Sequence, residues 1–186
     1  SIVGKHMKEQ GTLKNNTIVA TIMSNLGFFI MGTEQDITIE QTKVGDRYVL
    51  ERMREIGANL GGEQSGHVIF LDENTTGDGL LSALHLLSVI VDTKKSLSEL
   101  AKVMEVLPQA LVNAKVPNHK KYSYMEYPAI ATEIEKLTEK FAGQGRVLIR
   151  PSGTEPLIRV MIEGKDKKSI DEEAKRLATL IQEEML

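Results

Sequence analysis

The stretch Arg150-Pro151-Ser152-Gly153-Thr154-Glu155-Pro156 has the composition of an anion-binding loop. The Arg150 guanidinium is a permanently charged fork that matches phosphate oxygens. Ser152 and Thr154 supply hydroxyl donors, and Gly153 lets backbone N–H groups turn toward an anion. Pro151 and Pro156 stiffen both ends, which lowers the entropy lost when a ligand binds. Arg159 lies just beyond the loop and adds a second cation. Glu155 is ill placed beside an anion and is expected to turn away and pair with a basic group. Taken alone, a turn of this kind also serves as an ordinary surface connection with a solvated arginine.

A second constellation lies upstream, at Gly61-Gly62-Glu63-Gln64-Ser65-Gly66-His67. A carboxylate such as Glu63 accepts hydrogen bonds from two neighbouring sugar hydroxyls. Ser65 can give or take one, and the glycines let backbone and ligand approach closely. The composition suits a polyol; a glycine turn with exposed polar residues fits equally well. His67 is the one residue placed for acid–base work near neutral pH, or else for a simple hydrogen bond at a strand start. His6, His85 and His119 have no supporting neighbours in sequence and read as structural or exposed. Thr75-Thr76-Gly77-Asp78-Gly79 reads first as a helix start capped by Thr76 or Asp78, and second as a ligand loop. In Val44-Gly45-Asp46-Arg47-Tyr48, Asp46 is expected to cap a helix. Arg47, on its first turn, reaches either a substrate or solvent.

The elements that must position these residues follow from periodicity. Residues 1–10 suit a helix, 17–22 a buried strand, 25–31 a short helix and 36–42 a strand. Val49, Met53, Ile56 and Leu60 predict a helix over 46–60 that Gly61-Gly62 terminates. Residues 67–71 read as a strand. Leu80, Leu84, Leu87 and Val91 predict the core face of the next helix, and Ser96-Leu97-Ser98-Glu99 matches a capping box. Pro108 marks a boundary. Beyond it comes a strand over 109–116, then a helix opened by Pro128 with Ile130, Ile134, Leu137 and Phe141 inward. Two strands flank the phosphate loop, and a last helix capped at Ser169 has Ile170, Ala174, Leu177 and Ile181 inward. The fold class is therefore α/β: a mixed α/β domain over 1–107, followed by a small α+β domain over 108–186 with an antiparallel sheet and two helices.

Composition narrows the function. The 186 residues carry a net charge of −3, split as 10 Lys/Arg against 14 Asp/Glu over 1–107 and 13 against 12 over 108–186. No basic stripe stands out and aromatics are only 4%, which argues against nucleic-acid binding. The absence of cysteine excludes disulfides and thiolate metal sites and fits a reducing cytoplasm. No apolar run is long enough to span a bilayer.

Together Val44–Val49, Gly62–His67, Thr75–Gly79 and Arg150–Pro156 resemble, in order and spacing, the α-D-phosphohexomutases over essentially the whole chain. The family enzyme has four domains around one cleft, and this chain resembles the third and fourth. The resemblance implies that Glu63 and Ser65 contact the sugar hydroxyls; His67 and Arg47 are further candidates to contact the substrate from their own placement. It implies that Arg150, Ser152, Gly153 and Thr154 hold the phosphate that is not being transferred, and Arg159 is the candidate second cation beside them. Gln64 is the residue type of the glucosamine branch, whose members interconvert glucosamine 6-phosphate and glucosamine 1-phosphate through a phosphoserine, a bisphosphate intermediate and Mg²⁺. The partners implied are a phosphosugar and the preceding domains of the same protein. Neither the Ser-His-Asn of the family nucleophile nor two aspartates spaced for its metal loop occur here, so residues 1–186 alone are expected to be inactive and to bind no metal. A phosphoglucomutase or phosphomannomutase of the same family, a non-catalytic phosphosugar-binding module, and a purely structural α/β protein are the rival readings.

Overall fold

Thr17-Ile18-Val19-Ala20-Thr21 is buried along its whole length, the signature of a strand covered on both faces. It is the central strand of the first of two compact units, Ser1–Val106 and Leu107–Leu186. The computed structural model describes residues 1–186. Unit 1 runs α1 (Ile2–Glu9), β1 (Thr17–Thr21), α2 (Leu26–Glu34), β2 (Thr38–Thr42), α3 (Asp46–Ile56), β3 (Leu60–Gly62), β4 (Val68–Phe70), α4 (Gly79–Thr93) and α5 (Leu97–Leu100). Its sheet has the order β2-β1-β3-β4, with β1 parallel to β2 and β3, and β4 antiparallel to β3. Alternate residues of β1 divide between two cores. Ile18 meets Met31, Ile37, Leu60 and Phe70 on one face, while Val19 meets Val49, Met53 and Ile69 on the other.

The predicted helix over 46–60 is shorter than its periodicity suggests. Gly57 closes α3 in the left-handed region, at φ 69°, and Leu60, Gly61 and Gly62 form β3 instead of a helix end. The reason is packing. A Cβ on Gly61 would lie 2.5 Å from Met53 Sδ and 2.7 Å from Val49 Cγ1, so α3 rests directly on the backbone of β3. The cap of α3 is Gly45 rather than Asp46, whose carboxylate instead accepts from the Arg47 N–H at 2.8 Å.

The predicted core face of α4 is reversed. Leu80, Leu84, Leu87 and Val91 point outward, while Val89 is buried and Leu81 packs against the sheet core. The period was legible but not its phase, because α4 is apolar on both sides. Asp78 caps this helix by accepting from the Leu81 N–H at 3.0 Å. The Ser96–Glu99 capping box forms and opens the four-residue α5.

Unit 2 runs β5 (Gln109–Lys115), α6 (Pro128–Phe141), β6 (Gly145–Pro151), β7 (Leu157–Gly164) and α7 (Lys167–Met185). The sheet order is β5-β7-β6, antiparallel throughout. One face of it, including Ile158, Val160 and Ile162, packs against Ile130, Leu137 and Phe141 of α6 and against Ile170, Ala174, Leu177 and Ile181 of α7. The α/β and α+β architecture expected from sequence is the one observed. The cap of α7 is Asp166, which accepts from the Lys168 and Ser169 N–H groups, so Ser169 lies inside the first turn.

Gly61→Ala is expected to overpack the β3–α3 contact and to destabilise the chain by about 1–3 kcal/mol. Met53→Ala, which removes the clashing sulfur, should make the Gly61→Ala penalty smaller in the double variant than in the wild-type background. Urea unfolding of the four proteins measures the coupling.

Candidate functional site

Unit 1 places its polar loop at a topological switch point. From β1 the chain crosses through α2 to β2 on one side, and from β2 it crosses through α3 to β3 on the other. In open α/β sheets ligands bind beyond the carboxyl ends of the strands where the winding reverses. Here that point lies between β1 and β3. A cavity of about 470 Å³ opens there, bounded by the two strands and by Ser24, Asn25, Glu63 and Gln64. Its walls are mostly apolar, with polar groups at these few positions.

The Glu63 loop is a tight turn between β3 and β4. Glu63 N–H donates to the His67 carbonyl at 3.0 Å, Gly66 N–H donates to the Glu63 carbonyl at 3.1 Å, and Gly66 takes a φ of 101°. Ser65 Oγ donates to Glu63 Oε1 at 2.6 Å and lies 2.9 Å from His67 Nδ1, which is itself 3.2 Å from the same Oε1. With the hydroxyl proton directed at the carboxylate, Nδ1 must carry a proton and offer it to both oxygens. Ser65 therefore has no base to activate it, and the trio is not a nucleophilic triad. Both contacts fall on Oε1, so Glu63 Oε2 is available to a ligand. A Cβ on Gly77 would stand 3.1 Å from the His67 ring, so the 75–79 loop packs onto this cluster. Arg47 begins α3, after β2 and at the same end of the sheet, but its Nε donates to Glu51 Oε1 at 2.8 Å and its side chain is exposed.

Of the other histidines, two do have partners. His85 stacks on Phe70 at 3.8 Å and bonds Glu73 at 2.7 Å, and His6 bonds Asp92 at 3.2 Å. Both tie α4 to its neighbours.

Unit 2 builds its loop on a ladder. On the face of β6–β7 away from the helices, Arg146 stands opposite Glu163, Leu148 opposite Met161, and Arg150 opposite Arg159. The first pair is a salt bridge with a fully buried carboxylate. The last is a pair of like charges, which is destabilising in directly opposed positions. The Arg150 side chain makes no hydrogen bond or ion pair within the chain, and the Nε atoms of both arginines are buried without a partner. Burial first, and the Arg159 charge second, lower the proton affinity of Arg150. Arg159 is partly satisfied: it donates to Glu155 Oε2 at 3.1 Å, the basic partner expected for that carboxylate.

The turn itself is closed from within. Ser152 N–H donates to the Leu157 carbonyl at 2.9 Å, Leu157 N–H to the Glu155 carbonyl at 2.9 Å, and Ser152 Oγ accepts from Glu155 N–H at 3.2 Å. Ser152 is only 2% exposed, whereas Gly153 and Thr154 are exposed. Gly153 has no positive φ, and a Cβ there would meet nothing within 4 Å. The fold does not require glycine at this position, and the turn does not use the left-handed backbone freedom that the sequence suggested for it.

Residues that sequence reasoning missed brace this loop. Lys121 is 3% exposed, and its Nζ donates to the Glu155 carbonyl at 3.3 Å. Val116 N–H donates to the Pro156 carbonyl at 3.1 Å. Nothing in a Lys-Lys-Tyr loop distinguishes a buried lysine from a solvated one. In unit 1 the Ser24–Asn25 turn was likewise missed; its signal was a polar pair separated by two residues from the end of a buried strand, with Asn25 capping α2.

Residues 1–107 match the family model of phosphoglucomutase/phosphomannomutase α/β/α domain III, and residues 111–180 match that of the phosphoglucomutase/phosphomannomutase C-terminal domain. The chain belongs to the phosphoglucomutase/phosphomannomutase family. It is 60% identical over 182 residues to a phosphoglucosamine mutase of Ruminiclostridium cellulolyticum, covering 98% of this chain and 40% of that protein. It is 56% identical over 185 residues to a phosphoglucosamine mutase of Acetivibrio thermocellus, covering 100% and 41%. The chain thus spans about 40% of the length of the curated relatives it matches. The same fold recurs in Aspergillus fumigatus N-acetylphosphoglucosamine mutase in complex with GlcNAc-6P and magnesium, with a TM-score of 0.78 at 18% identity, covering 100% of this chain and 42% of that one.

Arg150→Met should make the chain more stable by about 0.5 kcal/mol, because it removes one member of an opposed like-charged pair, and should abolish binding of inorganic phosphate. Gly153→Ala should leave stability within about 0.5 kcal/mol yet weaken phosphate binding. Thermal unfolding with and without phosphate reads both effects.

Proposed function

We propose that this chain is the sugar- and phosphate-recognising part of a phosphoglucosamine mutase. The whole protein would interconvert glucosamine 6-phosphate and glucosamine 1-phosphate through a phosphoserine and a bisphosphate intermediate. The observation that carries the reading is the unpaired Arg150 opposite Arg159, a site of net positive charge whose repulsion a phosphate dianion relieves. The curated relatives named phosphoglucosamine mutase, at 56–60% identity, support the amino-sugar member of the family.

In this reading unit 2 holds the phosphate that is not being transferred. Arg150 and Arg159 supply charge, and Thr154 with the backbone around Gly153 supplies donors. None of these groups depends on which sugar carbon bears the ester, so the loop can hold the substrate by its 6-phosphate or its 1-phosphate. That symmetry is what a mutase working through a bisphosphate requires. In unit 1, Glu63 accepts from sugar hydroxyls through Oε2, Ser65 fixes the carboxylate, and His67 either moves a proton at the sugar or adds a hydrogen bond. The residues present do not fit Mg²⁺, since no group of three or more His, Asp or Glu side chains is gathered to hold a metal ion. A divalent cation and the phosphoserine therefore belong to the part of the protein beyond this chain. No helix is long and apolar enough to cross a membrane, and a cytoplasmic setting fits phosphosugar chemistry and the absence of cysteine from these 186 residues.

Titration calorimetry tests the division of labour. The chain should bind glucosamine 6-phosphate more tightly than inorganic phosphate. Glu63→Gln should lower affinity for the sugar phosphate toward that for inorganic phosphate, at least about tenfold, which is the loss of a charge-assisted hydrogen bond at the low end of its range. Arg150→Ala should abolish binding of both. Equal affinity for the two ligands in the wild-type chain would remove the sugar from the reading, and binding that survives Arg150→Ala would remove the phosphate loop.

A further inference from the structure

Helix α4 carries no Asp, Glu, Lys or Arg from Gly79 to Val91. One side packs on the sheet through Leu81 and Val89. The other presents Leu80, Leu84, Leu87 and Val91 at 73%, 55%, 55% and 72% exposure. Their spacing of four, three and four residues makes a continuous ridge along the helix. The remaining outward positions, Ala83 and Ser88, are small and uncharged. A surface helix normally separates an apolar from a charged face, and one that is apolar all round is buried.

We propose that this ridge is the docking surface for the domain that precedes domain III in the longer protein. Three observations select that occupant. First, the matched models are domain III and the C-terminal domain, and the chain covers about 40% of its relatives, so their larger part lies upstream of the matched region. Second, upstream chain must arrive beside α4. The first residues of α1 share a cavity wall with Ser82 and Leu86 of α4, and His6 of α1 bonds Asp92 at its far end, so the two helices lie side by side and Ser1 lies beside the middle of α4. Third, the ridge is the wrong size for self-association. Four side chains expose on the order of a few hundred Å², short of the roughly 800 Å² per partner of a stable dimer. A tethered domain needs far less area, because the tether raises its effective concentration. The inference rests on the family reading only for the existence of the preceding domains, and ligand binding plays no part in its test.

Because this chain has no cysteine, Leu87→Cys gives it a single reporter on the ridge. Maleimide modification of that residue, followed by peptide mass spectrometry, should be at least tenfold slower in the intact gene product than in residues 1–186. A Lys94→Cys control should react at similar rates in both. Equal rates at Leu87→Cys overturn the proposal, as does a gene product with no chain upstream of this region. Protection already present in residues 1–186 that rises with protein concentration overturns it in favour of a second copy. Leu84→Glu provides a second readout. It should leave the melting temperature of residues 1–186 unchanged and lower that of the intact protein; an unchanged value in both overturns the proposal.

Discussion

The pairing of Arg150 with Arg159 is the constraint on which the rest of unit 2 depends. Register alone sets it. With β6 and β7 aligned so that Arg146 meets Glu163, every second residue on that face must follow, and the last rung before the turn brings two guanidinium groups together. The Arg146 rung is neutralised inside the chain and the Arg150 rung is not. Two arginines four residues apart on one strand thus take opposite roles because of what the facing strand offers. A slip of one residue would send both into the apolar core, so the buried Arg146–Glu163 pair fixes the register and thereby the charge at the loop. Glu155 tempers the charge by holding Arg159 at 3.1 Å. Lys121 and Ser152 hold the turn from beneath, so that little rearrangement is left for binding to drive.

Unit 1 solves its problem with glycine rather than charge. Gly61 lets α3 rest on β3, and Gly62 lets the chain fold back so closely that a Cβ would lie 2.7 Å from the His67 carbonyl. These approaches bring the Glu63 carboxylate to the end of β3, at the reversal of winding, with His67 and Ser65 folded back onto it. The apolar walls of the adjoining cavity lower the local dielectric, and a carboxylate in such surroundings binds hydroxyl donors more strongly than one in water.

Much of this was legible in the chain. The loop motifs, the strands flanking the phosphate loop and the inward faces of α6 and α7 follow from composition and period, because there each apolar stripe has a polar counterpart that fixes its phase. Where the counterpart is missing, the reading fails. Helix α4 has apolar residues on both sides, so a correct period gave Leu80, Leu84, Leu87 and Val91 the wrong direction. The run from Val49 to Leu60 keeps helical spacing past the true end of α3 only by coincidence: Leu60 belongs to β3 and faces the other core, with Ile18 and Phe70, not the one Val49 and Met53 fill. The chemistry was partly legible for a related reason. Charged residue types announce a site, but which of them are already neutralised depends on cross-strand and tertiary partners: Glu51 for Arg47, Glu155 for Arg159, none for Arg150.

The choice of arginine has a consequence for how such a site answers to pH. Burial and its neighbour lower the proton affinity of Arg150, yet a guanidinium begins so far above neutrality that it stays charged across the physiological range. A lysine in the same half-buried, like-charged position would be driven toward its neutral form, and the attraction for anions would fade as it lost its proton. With arginine, the titration that matters is the ligand's. A phosphate monoester acquires its second negative charge near pH 6, and a fixed pair of cations favours that dianion over the monoanion. A fixed pair of guanidinium groups is thereby matched to a doubly charged anion rather than to a singly charged one.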